Sequence, residues 1–391
     1  MKFLASVFLA LSLSLTSVPR GDAELTHAVK AIDALAIGEF EQSKVGSITI
    51  GVVRGPKLIW TKSYGYADIE NKEPATKDTV YRIGGMTLKF TALMLLQLVQ
   101  DGKIAIDDPV DKYFPEINTI RGRDPETPVT FVQLANHTSG IANEPDIGTY
   151  THGPVAEWER TLIAALPHTR FTAKPGARFN YSNVGYAVLG AALGRVAGES
   201  YTSYVEKHIF TPLGMKHTAF EPNAVIKPLL AKGYVVDGDK VDGTIPEREQ
   251  QGRGYKVPNG AAYTTVEDLA RFISFELGDG PASVLKKQTL EQNYTRILKL
   301  NEPGDMYGYG VGFQVMNCGD LTVLGYGGTV PGYHARADFN WDAGVGFIVL
   351  RNVEGGDLHV ATRKLSCEAM NLLAASHQKS AADLPKIVSH E

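Results

Sequence analysis

Apolar residues recur at helical spacing from Leu25 to Phe40. The pattern then changes: Val45 to Val53 (VGSITIGVV) and Leu58 to Asp68 (LIWTKSYGYAD) read as two strands joined by a turn at Gly55-Pro56. From Thr87 to Gln100 the helical pattern is strong, and Asp101-Gly102 ends it. Shorter helices are predicted near Phe131 to Ala135, Val155 to Leu166, Val184 to Val196 and Ser203 to Ile209, with Pro- and Gly-rich loops between them. Another runs from Val266 to Glu276, opened by the start signal Thr265-Val266-Glu267-Asp268. Toward the C-terminus, YGYGVGFQVM, LTVLGY, HARADFN and GVGFIVLRN are short β-rich runs, followed by a helix from Asp357 to Ala374.

Strands at both ends with helices between them predict an α+β fold. One antiparallel sheet is built from both chain ends and flanked by helices, with an inserted, mostly helical lobe. We place the sheet parts at 24–75 and 300–378, the lobe at 76–299 and a flexible tail at 379–391. The sequence shows no repeats or low-complexity linkers.

The first residues, MKFLASVFLALSLSLTSVPRGDA, are patterned as a secretory signal: one Lys, an apolar run from Phe3 to Leu15, then small and polar residues. The run is short of the ~20 residues a membrane-spanning helix needs. Removal near Ala23, giving a signal peptide over 1–23 and a secreted or periplasmic protein, is the expectation; an uncleaved anchor is the alternative. No transmembrane span is expected after signal removal.

The composition changes this picture little. The 391 residues are 43% hydrophobic and 21% charged, an ordinary globular balance. A net charge of -4 argues against nucleic acid as a partner. Two cysteines, Cys318 and Cys367, are too few for a disulfide framework or a closed zinc site. They can pair in an exported protein, but they also suit two small buried hydrophobes, and unpaired is the expectation. With no HExxH, paired CxxC or Walker loop, neither a metal nor a cofactor is implied.

Longer stretches carry a resemblance. TVYRIGGMTLKFTALMLLQLVQDGKIAIDDPVDKYFPE, VTFVQLANHTSGI, PGARFNYSNVGYAVLGAALGRVAGESYTSYVEKHIFTPLGMKHTAF and LGYGGTVPGYHARADF occur in that order across nearly the whole mature chain. In them the chain resembles the serine β-lactamase and penicillin-binding-protein superfamily, in its class C, D-aminopeptidase and family VIII esterase-like branch. The resemblance implies a site made of three motifs. The first, SxxK, sets a Ser and a Lys one helical turn apart, so that the amine helps deprotonate the hydroxyl. Aligned without gaps on RIGGMTLKFTA, the Ser position is Gly85 and the Lys position is Leu88. Both functional groups are missing.

Neighbouring residues offer partial substitutes. A helix turns ~100° per residue, so Lys89 lies ~40° from Gly85 and its amine can reach the pocket mouth, whereas Thr87 lies ~200° away and suits packing or capping. The second motif, YxN, is intact as Tyr181-Ser182-Asn183; the resemblance gives the phenol a part in proton transfer and the amide a part in orienting the ligand. Ser182 falls at a variable position and reads as structural. The third motif, a Lys or His followed by a small residue and Gly, is here Tyr326-Gly327-Gly328, which brings hydrogen-bonding capacity but no positive charge. Recognition of an anionic carboxylate is therefore weakened. His137 and His334 show no Asp-His-Ser constellation and read as structural.

The resemblance also implies a backbone oxyanion hole from Gly85 and Thr329. Gly85, Asn183, Tyr326, Gly328 and Thr329 are thus the expected substrate-binding set, with Tyr181 and Lys89 as candidate catalytic groups. Three functions remain open. The first is a pseudoenzyme that binds a small-molecule, ester or peptide ligand without acyl-enzyme chemistry. The second is a hydrolase acting on amides, esters or lactones by a rebuilt noncovalent mechanism. The third is a structural or protein-interaction role.

Overall fold

The computed structural model describes residues 20–249, 252–300 and 306–376. Residues 1–19 of the expected signal and the expected tail at 379–391 lie outside the described residues. A helix, Arg20–Ser43, leads into the strands Ser47–Arg54 and Lys57–Asp68.

These strands join the C-terminal ones in a nine-stranded sheet. Its spatial order is Glu73–Pro74, Lys57–Asp68, Ser47–Arg54, Val345–Arg351, Tyr333–Asn340, Leu321–Val330, Gln314–Cys318, Met306–Tyr309 and Leu298–Lys299. Every pairing in it is antiparallel. The two chain ends meet at its centre, where Ile48 faces Arg351 and Val53 faces Gly346. The central strand Val345–Arg351 is buried along its whole length because both faces of the sheet are covered.

Side-chain alternation sends the two faces to two cores. Ile48, Ile50, Val52, Val345, Phe347 and Val349 pack with Ile32 and Ala36 of the first helix and with Leu365, Ala369 and Leu373 of the last helix, Leu358–Ala375. Val53, Ile348, Leu350, Ala335 and Phe339 point the other way, into the large core shared with the helical lobe. The helix Val266–Ser274 lies directly on this second face.

At the centre of the lobe is the helix Leu88–Gln100. It is apolar on all sides, and every residue from Leu88 to Leu98 is buried, as a helix surrounded by protein should be. It stops where the sequence indicates. Gly102 takes φ +67°, and the amides of Gly102 and Lys103 donate to Val99 and Leu98, each at 3.0 Å, closing a Schellman cap.

Two expectations are corrected. Cys318 and Cys367 are joined in a disulfide that ties the strand Gln314–Cys318 to the last helix, with Cα atoms 5.1 Å apart. The sequence places the two cysteines 49 residues apart and carries no sign that this strand and helix are neighbours. The strand predicted over LTVLGY runs further, as Leu321–Val330, through Gly327 and Gly328, which sequence propensity disfavours in strands.

Closing a loop of this length removes roughly 4 kcal/mol of chain entropy from the unfolded state. We therefore predict that Cys318→Ala lowers unfolding stability by about 2–4 kcal/mol in urea titration. The denatured wild-type chain should release thiols only after reduction.

Candidate active site

The site begins at a short turn between strand and helix. Tyr81 anchors it: its hydroxyl hydrogen-bonds Ser47 Oγ and Thr49 Oγ1, each at 2.9 Å, on the first strand of the sheet. Arg82 is fully buried, with its guanidinium over the rings of Tyr263 at 5.6 Å and Tyr333 at 6.0 Å. The chain then makes a 3-10 turn over Gly84–Thr87. Thr87 is completely buried, donating from Oγ1 to Gly84 O at 2.7 Å and accepting from Ala262 N at 3.1 Å. That hydroxyl is a brace inside the turn, as its position on the helix suggests.

Across from the turn runs the strand segment Gly327–Thr329, and the two backbones nearly touch. A Cβ on Gly328 would lie 2.0 Å from Ile83 O and 2.8 Å from Gly85 N. A Cβ on Gly84, whose φ is +50°, would lie 3.0 Å from both the N and the O of Thr329. This approach places Gly85 and Thr329 on one cavity of about 460 Å³, with Tyr181, Asn183, Gly327, Gly328, Thr151, Arg253, Lys256 and Asn259.

Gly85 itself is not sterically obliged to be glycine. A Cβ there would meet Gly327 O at 3.4 Å, Tyr326 Cε1 at 3.5 Å and Tyr181 Oη at 3.6 Å, all ordinary contacts, and its φ is not in the left-handed region. The place for a nucleophilic side chain exists, beside the Tyr181 phenol, and it is vacant by sequence. Leu88, at the lysine position, is entirely buried in the apolar core.

The structure separates Lys89 from this cavity. Its ammonium pairs with Glu276 at 2.6 Å and lies 5.7 and 5.5 Å from the ring centres of Phe272 and Phe339. Both charged side chains are more than nine-tenths buried. The helix begins with a tighter turn than the regular spacing assumes, and the buried carboxylate fixes the ammonium on the far side. Lys89 is therefore withdrawn as a catalytic candidate.

In place of an ammonium, the floor of the site holds phenols. Tyr326 is fully buried and shares a 2.8 Å hydrogen bond with the Tyr309 hydroxyl. Burial pushes the Tyr181 phenol up to about 12, its contact with Tyr326 pulls it back, and the charge of Glu144 adds to the rise. Tyr326 and Tyr309 are also raised well above the usual phenol range, by burial first. All three stay protonated at neutral pH, as hydrogen-bond donors rather than bases.

His137 lies beneath them, with its ring 4.3 Å from that of Tyr181 and 4.9 Å from that of Tyr186. Burial pushes it down to about 3, so it is neutral, and Nδ1 accepts from Ser182 N at 3.1 Å. Ser182 caps the helix Asn183–Ala197 through Gly185 N at 2.8 Å and donates to Ala142 O at 2.9 Å. His334 accompanies Thr329 through a 2.8 Å contact between Nδ1 and Oγ1; burial, then the charge of Arg336, lowers it to about 4.

The lobe-side wall is a polar network. Asn183 donates from Nδ2 to Glu144 at 2.7 Å and accepts from Asn259 Nδ2 at 2.7 Å. Glu144 also pairs with Lys256 at 2.7 Å and accepts from the Tyr255 hydroxyl. Asn183 is thus engaged by a carboxylate instead of the lysine of its motif. The sequence reading missed Arg253, Lys256, Asn259 and Glu144. They lie in or are bound to GRGYKVPNG, a stretch with no motif of its own, and nothing local announces that it borders the cavity.

Among the described residues no cluster of His, Cys, Asp and Glu could hold a metal ion, and no helix is long and apolar enough to cross a membrane. A second hollow of about 340 Å³, between the first and last helices, is lined by none of the residues of the three motifs.

Known proteins resemble this chain in sequence and in fold. The sequence profile described as Beta-lactamase matches residues 27–366. The chain is 29% identical to Beta-lactamase-like protein 2 of Dictyostelium discoideum over 326 residues, 82% of this chain and 58% of that protein. It is 27% identical to Protein flp of Staphylococcus aureus strain MW2 over 87% of this chain and 66% of that protein. It therefore spans less than two thirds of the length of these curated relatives. Among solved structures, the octameric penicillin-binding protein homologue from Pyrococcus abyssi superposes with TM-score 0.75 at 27% identity, covering 89% of this chain and 77% of the other. The D-amino acid amidase from Ochrobactrum anthropi SV3 gives TM-score 0.74 at 22% identity over 90% and 99%, a likeness of fold.

Two predictions follow from the geometry. Lys89→Met leaves a buried carboxylate unpaired and should cost about 3–5 kcal/mol in chemical denaturation, while Lys89→Met with Glu276→Leu recovers most of it. The second concerns pH. His137 and His334 are harder to protonate folded than unfolded, so the unfolded state binds more protons below the ordinary histidine pKa of ~6.5. Stability should fall as pH drops through this range, by up to about 1.4 kcal/mol per pH unit for each histidine. His137 contributes down to about 3 and His334 to about 4. Urea midpoints between pH 7 and 4 measure the slope, which should be shallower in His137→Gln.

Proposed function

We propose that the chain, which belongs to the β-lactamase family, is an exported ligand-binding pseudoenzyme that does not carry out acyl-enzyme chemistry. The observation that carries this reading is Gly85. It faces the cavity with room for a side chain and has none, while Leu88 fills the lysine position with a buried hydrocarbon. An acyl-enzyme requires a nucleophile and a base to activate it, and here both positions are empty of function.

A noncovalent hydrolase would need a general base near neutral pH. Tyr181, raised to about 12, is protonated there, and Lys89 is paired with Glu276 outside the cavity. What the site retains is suited to holding a carbonyl compound. Gly85 and Thr329 offer backbone donors, the Tyr181 phenol offers a third, and Asn183 stands beside them. A small ester, amide or peptide is the ligand class this favours. Export is supported by the N-terminal signal pattern and by the Cys318–Cys367 disulfide, since such bonds persist in oxidising compartments.

The test is labelling with a fluorescent penicillin and a fluorophosphonate, read by intact mass. No adduct is expected, and a stoichiometric adduct would overturn the reading. Gly85→Ser should fold normally, because its Cβ has space. Adding Leu88→Lys restores the motif, and any labelling in that double variant should depend on Tyr181.

A further inference from the structure

We propose that the cavity selects a secondary amide, such as a peptide unit, over the ester of the same shape, because Asn259 Oδ1 accepts the ligand's N–H. The inference rests on the ligand-binding reading above and narrows the class that is bound. Gly85, Thr329 and Tyr181 meet a ligand with donors, which any carbonyl compound can satisfy. Asn259 adds an acceptor to the same cavity.

The direction of a hydrogen-bond chain fixes which atom of Asn259 is left over. The Glu144 carboxylate, paired with Lys256 at 2.7 Å, can only accept, so Asn183 turns Nδ2 toward it at 2.7 Å. Asn183 Oδ1 then faces Asn259 and accepts from its Nδ2 at 2.7 Å. Turning the Asn259 amide over would set oxygen against oxygen, so the chain ends in an acceptor. That atom, Oδ1, is buried and meets no donor among the described residues, on a side chain 3% exposed. The frame around it is held by the same elements as the backbone donors. Asn259 lies in the short helix Val257–Gly260, where Pro258 O accepts from Thr91 Oγ1 at 2.5 Å, and Ala262 N just beyond donates to Thr87 Oγ1 at 3.1 Å. Thr87 belongs to the turn that carries Gly85, and Thr91 to the helix that follows it. Acceptor and donors therefore keep a fixed relation. A buried acceptor without a partner is costly; the N–H of a secondary amide removes that cost, whereas an ester sets a further oxygen against it.

Three matched probes test this against the full chain, by calorimetry or ligand-detected NMR: hippuramide, its ester analogue benzoyloxyacetamide, and benzoylsarcosinamide, in which a methyl replaces the N–H. Hippuramide should bind about tenfold more tightly than either of the others. The methylated amide separates loss of the N–H from the weaker carbonyl of the ester. Asn259→Leu, of similar size and without the acceptor, should abolish the preference, with urea midpoints confirming that the variant folds. A measurement on the wild-type protein covers the case in which it does not: the hippuramide N–H should show an intermolecular NOE to the Asn259 side-chain amide protons. Equal affinity for the three probes, no binding of any up to millimolar concentrations, or no such NOE would each overturn the proposal. So would a preference that survives in folded Asn259→Leu, which would move the N–H to another acceptor such as Gly327 O. Equal affinities would leave the ligand-binding reading standing. Covalent labelling of the wild-type protein would defeat that reading and leave the N–H preference in place, so the two failures are distinguishable.

Discussion

The candidate site depends on one close approach of backbone to backbone. The turn Ile83–Gly85 and the strand segment Gly327–Thr329 meet at a distance that excludes any side chain on Gly328 and strains one on Gly84. A methyl group at Gly328 would have to separate the helix Leu88–Gln100 from the sheet, because the turn leads directly into that helix. The cavity, the aromatic floor and the two candidate amide donors all take their positions from this contact. Thr87 inside the turn and Tyr81 before it hold the approach from the lobe and the sheet respectively.

Around that contact the polar interior has been made self-sufficient without an ammonium. A buried lysine at position 88 would have required partners, and its loss could have left them unsatisfied. Instead Tyr326 and Tyr309 satisfy each other, and Asn183 turns to Glu144 and Asn259. The neighbouring Lys89 has its own buried carboxylate. The polar groups that would have faced the lysine of the first motif are thus engaged by one another. His137 Nε2 and Asn259 Oδ1 are buried beside them and meet no partner among the described residues.

Much of this was legible in the sequence. Periodicity located the sheet at both ends and the buried helix from Thr87 onward, and ordered motifs put Gly85, Tyr181 and Thr329 on one site. Where reading failed, the cause was a contact between distant segments. The angle between Gly85 and Lys89 on an ideal helix allowed the amine into the pocket; Glu276, on a different helix, decided otherwise. Arg253 and Lys256 gave no local sign of their place, since only the fold brings them to the cavity. The disulfide was missed for the same reason, and the glycine-rich end of Leu321–Val330 was missed because close packing outweighed propensity.

The meeting of the two chain ends at the centre of the sheet has a kinetic side. Ser47 donates its amide to Asn352, 305 residues further on, and the strand that begins there pairs with Val345–Arg351 along its length. Contacts of such separation form late, because a long loop must close before they contribute. During synthesis the strands Ser47–Arg54 and Lys57–Asp68 emerge long before their central partner, with an apolar face and an open edge exposed. For this chain, the interval between the first strand and the last is when association with other molecules competes most directly with folding.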